Sequence, residues 1–223
     1  MDVERMRREA ETPVRAGAGD VDAVSRDLAD AFASDPLFDW FCRPDSRRDA
    51  ARLAFFRHLL RELIAPGGGE MLRPASGGAA AVWMGSHELG PNTPMQELRA
   101  LPMLIRLTGS WARFMRMAHL RGVMDRAHPM QRPHAYLWFL GVTPAAQGHG
   151  IGSRLLKARL NGLDAAGTPA FLETATERNV AFYRRHGFEV IKQYRADPDA
   201  PCVWAMWREA AGHAAAPTAE LRA

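Results

Sequence analysis

The chain has 223 residues, of which 47% are hydrophobic and 24% charged, with a formal net charge of +4. That length fits one large domain whose core needs no disulfide or metal to hold it. The charge is too mild and dispersed for a nucleic-acid binder, no apolar run reaches the ~18 residues of a membrane span, and Cys42 and Cys202 stand too far apart for a metal or disulfide framework.

Residues 1–11 mix acids with arginines and lack an apolar core, so no signal peptide is expected there, only a flexible arm. A short strand at 13–16 precedes Asp20, a candidate N-cap for a helix carrying Val21, Val24, Leu28, Ala31 and Phe32 at helical spacing. Asp35-Pro36 ends that helix, and a turn then delivers Phe38, Trp40 and Phe41. A second helix over 47–64 presents Leu53, Phe56, Leu60, Leu63 and Ile64 on one face and stops at Pro66 and three glycines. Strands at 70–73 and 79–84 follow. A loop from Gly90 opens a long helical region through 126, in which Leu104, Leu107, Trp111, Phe114 and Ala118 share a stripe. Arg99, Arg106 and Arg113 recur on another side, as a solvated basic face or as help for an anionic ligand.

The last third is the most regular. Residues 136–142 form a continuous apolar run, which suits a strand buried on both faces. A glycine-rich turn, a helix over 152–165, a strand at 169–174, a short helix over 179–186 closed by Gly187, and strands at 188–194 and 203–207 complete a layered α/β (α+β) domain.

The turn reads Val142-Thr-Pro-Ala-Ala-Gln-Gly-His-Gly-Ile-Gly-Ser153. Gly148, Gly150 and Gly152 strip side chains from a strand-to-helix connection, so successive N–H groups and the helix dipole are free to meet phosphates. Ser153 stands where a dinucleotide fingerprint needs glycine or alanine, and the Gly-Lys-Ser/Thr of a P-loop is missing. What remains is Gln/Arg-x-x-Gly-x-Gly/Ala, met by Gln147, Gly150 and Gly152.

LGVTPAAQGHGIGSRLL and NVAFYRRHGFEV resemble motifs A and B of the GCN5-related N-acetyltransferase (GNAT) family. Within it, DAFASDP and GTPAFLETATERNVAFYRRHGFEV are most similar to puromycin N-acetyltransferase-like proteins. The resemblance implies a GNAT fold, a mixed and largely antiparallel sheet splayed between its middle strands with helices on both faces. It implies acetyl-CoA as co-substrate without a metal, and transfer of the acetyl group to a primary amine of a small molecule. A protein amine as acceptor, or a non-catalytic acyl-CoA-binding module, are the competing readings.

By the same resemblance Leu140, Gly141 and Val142 offer strand backbone to pantetheine, and a backbone N–H there, that of Val142, polarises the thioester. Gln147, Gly148, His149, Gly150, Ile151, Gly152 and Ser153 form the pyrophosphate loop, where His149 is a phosphate contact or an exposed loop residue. Tyr183 is the candidate proton donor to the leaving thiolate, since a phenol near pKa ~10 stays protonated until charge builds on a thiol of ~8.5. Asn179, one helical turn before it, is a pantetheine contact or a helix N-cap. Glu173 is the candidate base on the Phe171 face of its strand, its pKa raised by apolar surroundings; a structural carboxylate is the alternative. Phe38, Asp39, Trp40 and His134 are candidates for the acceptor side, with Phe38 as plain core and His134 as plain surface the bland alternatives. The expected organisation is one domain over 12–208, a helical insertion at 90–130 on the acceptor side, and a flexible tail over 209–223. A cytoplasmic location and a homodimer complete the expectations.

Overall fold

The computed structural model describes residues 2–64, 67–89 and 93–212. The expected stop at Pro66, the loop at 90–92, the side chain of Leu63 and all of the expected tail beyond 212 lie outside the described residues. Seven strands, β1 (Val14–Ala16), β2 (Glu70–Arg73), β3 (Ala79–Gly85), β4 (Ala135–Val142), β5 (Ala170–Thr174), β6 (Glu189–Tyr194) and β7 (Val203–Arg208), form one sheet. Their order is β1-β2-β3-β4-β5-β7-β6, and only the β4–β5 pairing is parallel. Eight α-helices lie among the described residues: α1 (Val3–Glu9), α2 (Val21–Ala31), α3 (Pro36–Phe41), α4 (Arg48–Leu59), α5 (Pro94–Thr108), α6 (Trp111–Ala127), α7 (Ile151–Ala165) and α8 (Glu177–Arg184).

Both sheet faces are covered. Val24, Leu28, Phe38 and Phe56 of α2 to α4 pack on Val82 and Phe139. On the other face Met6, Leu155, Leu156 and Val180 of α1, α7 and α8 pack on Trp83, Leu137 and Leu172. Strand β3 is therefore buried on either side, which is why it reads as a continuous apolar run.

The middle strands part early. Strands β4 and β5 pair only over Ala135–Leu137 and Ala170–Leu172, while β4 continues to Val142 and β5 to Thr174. This is the expected splay, and it opens a cleft along the second half of β4.

Four expectations are corrected. The arm at 1–11 is helix α1, capped by the Asp2 carboxylate on Arg5 N–H, with Met6 only 1% exposed. Its apolar signal is just Val3, Met6 and Ala10, three residues at helical spacing that suffice because α7 and β3 wait beneath them. The turn after Asp35 is helix α3, because the Asp35 carboxylate accepts the N–H groups of Leu37 and Phe38 and Pro36 fits the first helical position. Asp20 does not cap α2 by its side chain; its carboxylate accepts the N–H of Gly17. The long helix ending near 126 is two helices. Gly109 turns left-handed at φ 69°, and the Ser110 hydroxyl accepts Arg113 N–H to start α6. Trp111 falls just past this break and is 74% exposed, so it does not share the stripe with buried Leu107.

Candidate active site

A register shift shapes the cleft edge. Along β3 and β4 Trp83 faces Leu137 and Val82 faces Phe139, so Trp138 is an extra residue on β4. Before it, Ala135 N–H donates to Pro169 and so points toward β5. After it, Thr143 N–H donates to Gly78 beside β3. Strand alternation then turns the peptide groups of Phe139 and Gly141 to β3 and those of Leu140 and Val142 into the cleft. Were Trp138 paired in a regular strand, the phase of the residues after it would be opposite. Gly141 is needed for a different reason: a Cβ there would sit 2.8 Å from Ala31, where α2 lies directly on the strand.

The glycine turn meets the end of β4. Gly148 and Gly150 adopt φ of 84° and 73°, and a Cβ on either would meet nothing within 4 Å, so the turn is open on its outer side. Gly150 begins α7 without any side-chain cap, which leaves the first N–H groups of that helix free for an anion. The Gln147 amide donates to the Val142 carbonyl at 3.0 Å and fastens the turn to the strand. Ile151 is buried beneath the helix start, His149 is exposed, and Ser153 turns its hydroxyl to His186 Nε2 at 2.9 Å. The donor set and the missing side chains fit a diphosphate.

Beyond the splay, Glu173 and Tyr183 approach from opposite sheet faces. Glu173 is hydrogen-bonded by two hydroxyls, Tyr136 at 3.2 Å and Tyr194 in a very short contact. Burial pushes its carboxyl up to about 7, although both tyrosine bonds pull the other way, and Asp125 adds a small upward push. The apolar setting expected around it is thus partly wrong. Burial still dominates, because Phe171, Ile191, Ala205 and Trp207 pack alongside. Nothing local in sequence announces the tyrosines; Ala205, facing Glu173 on the intervening strand β7, leaves Tyr194 room to reach across.

Tyr183 is 8% exposed, wedged between Phe182 and Phe188, and burial alone raises its pKa. Its hydroxyl makes no hydrogen bond to another described residue. Helix α8 starts two residues earlier than its sequence reading, at Glu177, with Thr176 in the cap position. Asn179 is therefore an exposed third-position residue, not an N-cap.

The acceptor candidates divide. Phe38 is core, among Phe32, Phe41, Phe55 and Phe56. Asp39 is exposed and paired with Arg48. Trp40 is buried with no partner for its indole N–H among the described residues, and Arg116 lies 5.4 Å over its ring. Arg113 donates to the carbonyls of Trp40 and Cys42, whereas Arg99 and Arg106 are exposed as a solvated face. His134 is 3% exposed, which corrects its surface reading. Its Nδ1 lies 2.7 Å from the Arg132 carbonyl and must donate, so its Nε2 accepts from His128 Nε2 at 2.9 Å. Burial lowers both imidazoles, His128 to about 4, so the pair is neutral and pins the end of α6 to β4. Among the described residues no group of three or more His, Cys, Asp or Glu is placed to hold a metal, and no helix is long and apolar enough to cross a membrane.

Residues 114–190 match the model of the acetyltransferase (GNAT) domain. In overall fold the chain is similar to a histone acetyltransferase HPA2 and related acetyltransferase from Corynebacterium glutamicum, at 25% identity and TM-score 0.64, covering 91% of this chain and 99% of that one. It is also similar to Drosophila melanogaster polyamine N-acetyltransferase, at 15% identity and TM-score 0.60 over 88% and 98% of the two chains. Arylalkylamine N-acetyltransferase 2 from Aedes aegypti matches at 14% identity and TM-score 0.61 over 88% and 97%. The domain match and this architecture together support an N-acetyltransferase.

Proposed function

We propose that the protein moves an acetyl group from acetyl-CoA to a primary amine of a small molecule, by direct attack within a ternary complex. The observation that carries this reading is Glu173, a carboxyl near neutrality in pKa held by two tyrosines just past the point where β4 and β5 separate. Acetyl-CoA, when bound, supplies the reactive thioester. The turn from Gln147 to Ser153 would receive its diphosphate, Leu140, Gly141 and Val142 its pantetheine, with Asn179 on the opposite wall. The Val142 N–H faces the cleft, where a thioester carbonyl gains from a fixed donor as charge builds on its oxygen.

Glu173 as carboxylate takes the proton that an ammonium must lose before its nitrogen attacks. The N–C bond forms, the C–S bond breaks, the departing sulfur takes its proton from the Tyr183 hydroxyl, and the second proton shed by the nitrogen as the amide forms returns through solvent to restore the phenol. A phenol that burial keeps protonated suits that role. Donor and base stand on opposite sheet faces, so thiol and amine arrive from opposite sides. Trp40 and Asp39 belong to the amine side in this reading. Neighbours in fold whose names specify polyamine, arylalkylamine and agmatine acetylation favour a small amine. The motif likeness puts puromycin among the candidates. A cytoplasmic setting agrees with the free thiols of Cys42 and Cys202.

The test is release of free CoA across an amine panel containing puromycin, agmatine, polyamines, arylalkylamines and a lysine peptide. One small-amine class should stimulate release, and Tyr183→Phe should lower turnover about 100-fold with acetyl-CoA affinity near normal. Stimulation by the peptide alone would replace the small-amine reading. Unchanged turnover in the variant would remove Tyr183 from its role.

A further inference from the structure

Helix α7 begins at the glycine turn, and Ser153 is its third residue. The Ser153 hydroxyl meets Nε2 of His186, a part-buried contact between residues 33 apart in sequence. The backbone of His186 is itself attached to Tyr183: its N–H donates to the Tyr183 carbonyl at 2.9 Å, and Phe188 N–H donates to the same carbonyl at 3.2 Å. The imidazole packs 5.1 Å from the Phe182 ring, which stands 5.0 Å from the Tyr183 ring. A second tie holds the same turn. Arg208 Nε donates to the His186 carbonyl at 2.9 Å, while the guanidinium grips Asp164, near the far end of α7, at 2.7 and 2.8 Å.

We propose that the Ser153–His186 hydrogen bond is a positioning link, which transmits the seating of the diphosphate turn to the Tyr183 hydroxyl. The inference rests on the reading of Tyr183 as proton donor. The physical case begins with the hydroxyl itself, which has no other described partner to orient it. The N–H of Ser153 belongs to the uncapped first turn of α7, so one residue offers its backbone to an anion and its side chain to α8. Together with the Arg208 ties, this polar contact joins α7 to the segment carrying Tyr183. Among the described residues no polar group holds the Tyr183 hydroxyl directly, so its placement is set by where its carbonyl and ring neighbours are held. A displacement of about 1 Å at a reacting group costs on the order of 100-fold in rate.

The experiment is a double-mutant cycle. Single-turnover rates are measured for wild type, Ser153→Ala, Tyr183→Phe and the double variant, with Ser153→Thr as a hydroxyl-retaining control and acetyl-CoA dissociation constants for all. The link predicts a roughly 10-fold slower rate in Ser153→Ala, affinity within about threefold of normal, recovery of most of that lost rate in Ser153→Thr relative to Ser153→Ala, and no further loss when Ser153→Ala joins Tyr183→Phe. Equal losses in both backgrounds would mean a structural role and overturn the link alone. Weaker affinity with an unchanged rate would make Ser153 a phosphate contact and also overturn it. If Tyr183→Phe by itself turns over normally, the proton-donor reading fails and takes the link with it.

Discussion

Burial of the Glu173 carboxyl sets two pH dependences of opposite sign. As a base it works only when ionised, so the rate should rise with pH through about 7 and level off above it. Folding responds the other way. The folded pKa lies above the unfolded value of ~4.5, so the protonated form is favoured in the native state. Its stabilising contribution is complete below ~4.5 and is lost as pH rises through about 7. Glu173→Gln should remove the rising limb of the rate profile, and it should flatten a stability difference of up to roughly 3 kcal/mol between pH 5 and 8. Rate profiles and denaturant unfolding at several pH values check both; a parallel rate profile in the variant would leave Glu173 a structural carboxylate. Tyr183 and the glycine turn were legible in the sequence because each sits inside a short motif with fixed spacing. The tyrosines on Glu173 were not. Tyr136 and Tyr194 lie 37 and 21 residues away, and only the strand order brings them together.

Among elements, strands were read more faithfully than helices. Buried strands announce themselves as apolar runs, and each of the seven lies within a residue or so of its expected limits. Helices are divided by single residues that compete with the periodicity. The α5–α6 break turns on Gly109, whose left-handed φ any side chain would strain. A Cβ there would also stand 2.9 Å from the Cβ of Arg43. Gly109→Ala should therefore cost about 1–2 kcal/mol, visible as a lower urea midpoint at unchanged m value. The N-cap reading of Asn179 failed for a related reason: the cap position lies three residues upstream, at a threonine whose side chain makes no capping bond.

On the scale of the molecule, α1 closes the sheet face that carries α7. Met6 packs beside Gly78, Glu9 accepts the Ser76 N–H, and Glu11 pairs with Arg154 of α7 at 3.0 Å. A segment that reads as an arm is thus part of the core. Met6→Ala should destabilise by roughly 2–3 kcal/mol and lower the melting temperature by about 5–10 °C, measured by calorimetry. A melting temperature unchanged in the variant would show that α1 contributes no packing. The whole sheet has one further property, which follows from Trp138. The direction of the Leu140 and Val142 peptides is set by one residue of β4 that has no partner on β3. Any side chain at position 138 that fits its half-buried place keeps the bulge, whereas a strand that drew this residue into regular pairing would carry the Leu140 and Val142 donors round to β3. This part of the site is written in spacing, so it tolerates a change of side chain and fails on a slip of register.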